Sequence, residues 1–127
     1  MQKKIKARKA IPYLITVLCI FISYCDSVFD SKSADCVLVG SVTAQEDHEG
    51  DIKFLGEIQN NGNGKALFVR ISFTMKDVAG NVIGTDFTYV NSTDLEPGQI
   101  SSFECWTETP YTDIDSWTYE ITWQDDD

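Results

Sequence analysis

Between residues 66 and 77 the side chains Leu67, Val69, Ile71, Phe73 and Met75 alternate with Arg70, Ser72, Thr74 and Lys76. A period of two sends the two sets to opposite faces of an extended chain, so the stretch reads as a half-buried β-strand rather than an amphipathic helix. Five other runs, 36–44, 52–60, 82–90, 100–106 and 117–123, have the same character. In the last of them Trp117, Tyr119, Ile121 and Trp123 oppose Thr118, Glu120 and Thr122.

Turn chemistry separates these runs. The segment Asn61-Gly62-Asn63-Gly64 is expected to make a tight reversal, because glycine and asparagine accept positive φ at low cost. Asp77 opens a glycine-containing hairpin turn, where its carboxylate is expected to accept a backbone hydrogen bond from two residues on and Gly80 to supply the left-handed position. Pro97 and Gly98 mark a further turn. Short strands with one polar face at close spacing predict an all-β fold: a small antiparallel immunoglobulin-like sandwich of six to seven strands following an N-terminal signal segment. Its expected core is Leu38, Val42, Phe54, Ile58, Leu67, Val69, Ile71, Phe73, Phe103, Tyr119 and Ile121.

The first 24 residues have a different character. Five basic residues precede position 10, no acid occurs before Asp26, and an uncharged, mostly apolar run of 15 residues occupies 10–24. That pattern predicts an export signal, the run being shorter than the roughly 20 residues of a spanning helix; an uncleaved signal anchor is the alternative. Ile22-Ser23-Tyr24-Cys25 resembles a bacterial lipoprotein processing box, with Tyr24 in place of the usual small residue. The resemblance implies a lipid on Cys25 and a membrane-anchored product, against ordinary cleavage nearby. Residues 25–35 then read as a polar tether, 36–124 as the domain and 125–127 as an acidic tail.

Without residues 1–24, five basic residues face 20 acids, a formal charge of −15. So acidic a chain lacks the basic footprint that nucleic acid requires. The segment Glu46-Asp47-His48-Glu49-Gly50-Asp51 offers oxygen ligands in Glu46, Asp47, Glu49 and Asp51, the weak candidates for calcium against a solvated turn. Cys36 and Cys105 are the cysteines of the domain, and two readings stand for them: a disulfide formed in an oxidising compartment, or two buried thiols.

The pattern Gly56-x-Ile58-x-Asn60 with Gly62, then Phe73-Thr74-Met75-Lys76-Asp77 with Gly80, then Leu95-Glu96-Pro97-Gly98-Gln99 and Phe103, resembles the FxLYD family of small extracytoplasmic β-sandwich domains. The name-giving motif falls on 73–77, with Met75 in place of Leu and Lys76 in place of Tyr. The resemblance implies an exported sandwich, frequent in lipoproteins, and gives Phe73, Met75, Asp77, Gly80, Pro97 and Gly98 structural roles. It supplies no catalytic residues.

Catalysis has little to work with in the sequence. His48 is the one histidine, placed in a charged turn with no nucleophile identifiable beside it. The expectation is a non-enzymatic module without cofactor or small-molecule substrate, meeting a protein partner in the cell envelope and the membrane through its lipid. The alternatives are a soluble secreted ligand-binding domain and a calcium-dependent one. Aromatic residues that would form a contact surface are Phe87 and Tyr89, on one face of their strand, with Trp106 and Tyr111.

Overall fold

The structure, a computed structural model, describes residues 5–9 and 31–126. Among the described residues the strands are β1 (Ile5–Lys9), β2 (Cys36–Glu46), β3 (Asp51–Asn60), β4 (Ala66–Lys76), β5 (Val82–Tyr89), β6 (Ile100–Pro110) and β7 (Ser116–Asp125), and a 3-10 turn spans Tyr111–Asp113. Every pairing is antiparallel. One sheet has the order β1-β7-β4-β5 and the other β2-β3-β6. In immunoglobulin lettering β2-β3-β6 takes the place of A-B-E and β7-β4-β5 that of F-C-C′, which leaves β1 beside β7 where strand G would run. The sandwich expected from the alternating runs is therefore present. The apolar segment 10–24 and Cys25 lie outside the described residues.

The two sheets meet on aromatic rings. Phe54 of β3 and Phe73 of β4 stack across the interface with centroids 3.9 Å apart and planes 2° from parallel, and Trp117 meets Phe54 edge-on at 5.0 Å. Val69, Ile71, Met75, Ile58, Phe103 and Ile121 are fully buried around them. Burying one such side chain contributes about 1.5–3 kcal/mol, so this cluster is the main source of cohesion.

Two hairpins turn on the same device. In the β2–β3 turn Asp47 Oδ1 accepts hydrogen bonds from the amides of Glu49 (2.8 Å) and Asp51 (3.0 Å), and Gly50 has φ +88°. In the β4–β5 turn Asp77 Oδ1 accepts from Ala79 (3.0 Å) and Asn81 (2.8 Å), and Gly80 has φ +88°. The pattern Asp-x-x-Gly-Asp/Asn writes the same turn twice. Its aspartate satisfies amides that the reversal leaves without strand partners, and its glycine takes a left-handed conformation that costs other residues about 1–2 kcal/mol. Pro97 and Gly98 close a third turn, in which Gln99 N–H donates to Glu96 O (3.0 Å) and Gly98 has φ +84°.

The structure corrects several expectations. Residues 61–64 do not close a hairpin: they cross from β3 in one sheet to β4 in the other, and neither Gly62 nor Gly64 has positive φ. The glycines are needed for proximity instead, since a Cβ on Gly62 would lie 2.6 Å from Asp35 N and 2.7 Å from Ala34 C. The last residues of the expected tether thus belong to the domain. Ala34 is buried and its N–H donates to Asp125 Oδ1 (2.9 Å), while Ser33 O accepts from Asn63 and Gly64. Asp125 is accordingly a buried strand residue rather than part of a frayed tail.

Asn60 ties this end together. It is fully buried; Oδ1 accepts from the amides of Asp35 (3.0 Å) and Gly62 (2.9 Å), and Nδ2 donates to the carbonyls of Gly64 (2.7 Å) and Leu95 (3.0 Å). One side chain so joins the chain entry, the crossing and the turn before β6.

Of the two readings for Cys36 and Cys105, the disulfide does not fit the register. Cys36 lies opposite Asn60 and Cys105 opposite Phe54 on the intervening strand β3. Six positions along a strand amount to about 20 Å, against the 7 Å limit for bridged Cα atoms. Cys105 is a buried free thiol, and burial, aided by the negative charge of Asp86, pushes its pKa up to about 12.

Candidate functional site

The alternation in β4 slips once, at Phe68. Leu67 pairs with Gln124 but Arg70 pairs with Thr122, so three steps on β4 span two on β7: a β-bulge. Ala66 and Val69 consequently face the core, Leu67 is only partly buried, and Phe68 turns outward at φ +52° with 52% of its surface exposed. A non-glycine residue in this region is uncommon and needs support from its surroundings. Here Phe68 N–H donates to Asp94 Oδ1 (2.9 Å), and Val69 N–H donates to the carbonyl of Thr93 (2.8 Å), itself at φ +68°.

The bulge delivers Phe68 to the outer face of the β7-β4-β5 layer, beside Arg70. The cross-strand neighbours of Arg70 are Tyr89 on β5 and Thr122 on β7. Its guanidinium carbon lies 4.6 Å from the centre of the Phe87 ring, and Phe87 meets Tyr89 at 6.1 Å with planes at 89°. Phe68, Phe87 and Tyr89 are all substantially exposed. Phe68, Arg70, Tyr89, Thr122, Trp123 and Gln124 enclose a hollow of about 250 Å³.

Among the described residues Arg70 Nε, beside this hollow, is buried without a hydrogen-bond partner, and so is Trp123 Nε1 on the core side of β7. An unsatisfied buried donor costs about 1–3 kcal/mol, more when charged. The basic residues Lys53 and Lys65 pair with Glu104 (3.6 Å) and Glu96 (3.4 Å), yet Arg70 has no carboxylate partner among the described residues.

The opposite sheet is better satisfied. Trp106 is exposed there, but Lys53 lies over its ring at 4.1 Å and is also paired with Glu104. A larger hollow of about 410 Å³ on that side is lined by Glu57, Asn91, Ser102 and Glu104 among others, and Asn91 Nδ2 already donates to Ser102 Oγ (3.0 Å). Asn91, Ser102 and Glu104 thus have partners within the chain.

The sequence-derived candidates are thereby dispersed. Phe87 and Tyr89 do come together, whereas Trp106 lies on the other sheet and Tyr111 begins the 3-10 turn. Phe73 and Met75 are core, and Asp77, Gly80, Pro97 and Gly98 are turn residues. Glu46, Asp47, Glu49 and Asp51 share one hairpin end, where amides of the turn occupy one oxygen of Asp47. Against the desolvation that would raise it, these amide bonds, with the charges of His48 and Lys53, hold the Asp47 carboxyl below its ordinary range. Among the described residues no group of three or more His, Cys, Asp or Glu side chains is placed to hold a metal ion. Sequence reading missed Phe68 and Arg70. The available signal was the consecutive apolar run Leu67-Phe68-Val69, which strict alternation does not accommodate.

Compared with protein-family models, with curated proteins and with solved structures, the chain matches none. The resemblance to the FxLYD family rests on the motif residues quoted above.

Proposed function

We propose that this protein is a non-catalytic interaction module of the cell envelope, exported by residues 1–24, held to the membrane by a lipid on Cys25, and meeting a protein partner through the outer face of the β7-β4-β5 layer. The observation that carries the reading is the exposed group Phe68, Phe87 and Tyr89 around Arg70, which has no carboxylate partner among the described residues. Aromatic and arginine side chains are the types enriched where interfaces concentrate their binding energy. With Ser33 already packed against the domain, seven residues would separate Cys25 from it. That length reaches at most about 25 Å, so the module would work close to the membrane surface.

The anchoring part is tested by the intact mass of the natively expressed protein in the membrane fraction. A chain beginning at Cys25 with added acyl mass supports it; full-length or unlipidated protein defeats it. The interaction part is tested by replacing Phe87 and Tyr89 together with serine. Loss of a native complex with unchanged melting temperature supports the assigned face, and an unaltered complex excludes it.

A further inference from the structure

We infer that, once residues 1–24 are removed, the free edge of β7 takes up an extended strand of a partner protein, antiparallel to β7, with apolar residues opposite Tyr119, Ile121 and Trp123 and basic residues at the alternate positions. This rests on the export reading above, and adds how the partner is held. An edge strand presents a row of main-chain donors and acceptors to any strand that meets it, and the alternation of faces then decides which side chains fit.

Without β1 the sandwich ends on β7 and β5 in one sheet and on β2 and β6 in the other. These edges are not alike. On β5, Asp86 Oδ1 accepts from the Phe87 amide (3.1 Å) and Thr88 Oγ1 donates to the Tyr89 carbonyl (3.2 Å), so the strand's own side chains answer its main chain. On β6, the Asn91 amide donates to the Ser102 carbonyl (2.9 Å) and the Ser92 amide to Ser101 Oγ (3.0 Å), so the connection from β5 covers it. The register of β2 slips between Val39 and Thr43, with Gly40 at φ +72°, and such a bulge bends a strand away from further pairing. The edge of β7 is closed from outside the 36–124 domain, by β1.

β1 is a poor filler of that edge. It pairs only from Glu120 to Gln124 of a strand that runs Ser116–Asp125. Its register sets Lys6 opposite Trp123 and Arg8 opposite Ile121, both core residues, whereas Ile5 and Ala7 stand opposite Gln124 and Thr122. Directly opposed residues share a face of the sheet. The chain's own strand therefore has a lysine and an arginine at inward positions and apolar residues at outward ones, and a strand of the opposite phase suits the edge better. The outward residues of such a strand meet Glu120, in a domain with five basic residues against 20 acids after residue 24. That balance favours a basic strand and opposes the pairing of β7 with β7 of a second copy.

The test uses the protein purified from its native host in a zwitterionic detergent, with intact mass showing whether residues 1–24 are gone. The probe is a heptapeptide of alternating lysine and valine, capped at both ends, which sets its valines opposite Tyr119, Ile121 and Trp123 and its lysines opposite the residues between and beside them. Calorimetry is expected to give a Kd below about 1 mM, and hydrogen exchange to slow across 118–124 on binding. A proline in place of the central valine removes a donor from the ladder, and glutamates in place of the lysines reverse the charge; each is expected to weaken binding at least about tenfold. In the full 127-residue chain, Lys6→Val with Arg8→Val should slow exchange at 120–124, because apolar residues then stand opposite Ile121 and Trp123. Equal binding of the proline peptide, no added protection at 118–124, or a double substitution without effect would overturn the inference. A glutamate peptide that binds as tightly would overturn the basic character of the partner, and a processed protein that self-associates with protection at 118–124 would give the edge to a second copy instead. A native chain that retains residues 1–24 would overturn both the export reading and this one, whereas a processed chain that ignores the peptide leaves export standing and removes the strand site.

Discussion

Replacing Asn60 with alanine removes a single polar side chain and should loosen a whole end of the sandwich. The substitution takes the acceptor from the amides of Asp35 and Gly62 and the donor from the carbonyls of Gly64 and Leu95. Leu95 O also accepts from Ala66 N–H (2.9 Å) and keeps that bond, so three of the four losses count in full. At about 1 kcal/mol net per buried hydrogen bond the cost is roughly 3 kcal/mol. A domain of about 100 residues loses about 4–8 °C in melting temperature per kcal/mol, so the expected fall is roughly 12–24 °C. Thermal unfolding of the full chain, followed by tryptophan fluorescence, measures it. The exposed neighbour Asn61 is the control; Asn61→Ala should stay within about 0.5 kcal/mol of the parent. Amide exchange at Gly62 should accelerate in the Asn60 variant well before global unfolding. A fall of less than about 4 °C, or one no larger than that of Asn61→Ala, would refute the reasoning, because the bonds would then be worth less than one ordinary hydrogen bond together.

Other consequences are equally open to measurement. Gly50→Ala and Gly80→Ala should each cost about 1–2 kcal/mol, since both turns require φ near +88°; a neutral result in denaturant unfolding would contradict the turn geometry. The Cys105 thiol, held protonated to about 12 in the fold from an ordinary 9.0, should resist alkylation of the native protein at pH 8 and react on unfolding. The unfolded chain releases that proton first, so stability should fall between pH 9 and 12 by up to about 1.4 kcal/mol per pH unit, a slope that Cys105→Ala should remove. Deleting residues 1–24 takes away β1, which pairs with Ile121 and Thr122 among others; the amides on that edge of β7 should then exchange faster, and protection unchanged by the deletion would contradict the pairing.

Strands β2 to β7 could be read from sequence because most of their residues alternate between a wet and a dry face, as in β4, β6 and β7; β1 falls in the stretch read as an export signal. The segment 66–77 was expected to be regular throughout, and the bulge at Phe68 interrupts it. A left-handed phenylalanine is not foreseeable from local preference, because the loop residues Thr93 and Asp94 hold it from more than 20 positions away. The glycines of 61–64 invited a turn reading for the same reason: their requirement comes from Ser33–Asp35, which only the folded chain brings alongside. The possibility of a Cys36–Cys105 bridge failed on register, which depends on how both strands meet β3. Of the site, the pairing of Phe87 with Tyr89 was visible in the alternation of β5. Arg70 looked like one more solvated charge until the pairing of β4 with both β5 and β7 placed it beside Phe87 and Tyr89.

The central claim is that the β7-β4-β5 face, and not the opposite sheet, is where this protein meets its partner. A photoreactive residue placed at Phe87 in one variant and at Trp106 in another, each expressed in the native host and irradiated in intact cells, tests it most directly. The account predicts a discrete adduct at position 87 that Arg70→Gln abolishes, and none at position 106. An adduct at 106 alone, or one at 87 that persists unchanged in Arg70→Gln, would contradict it.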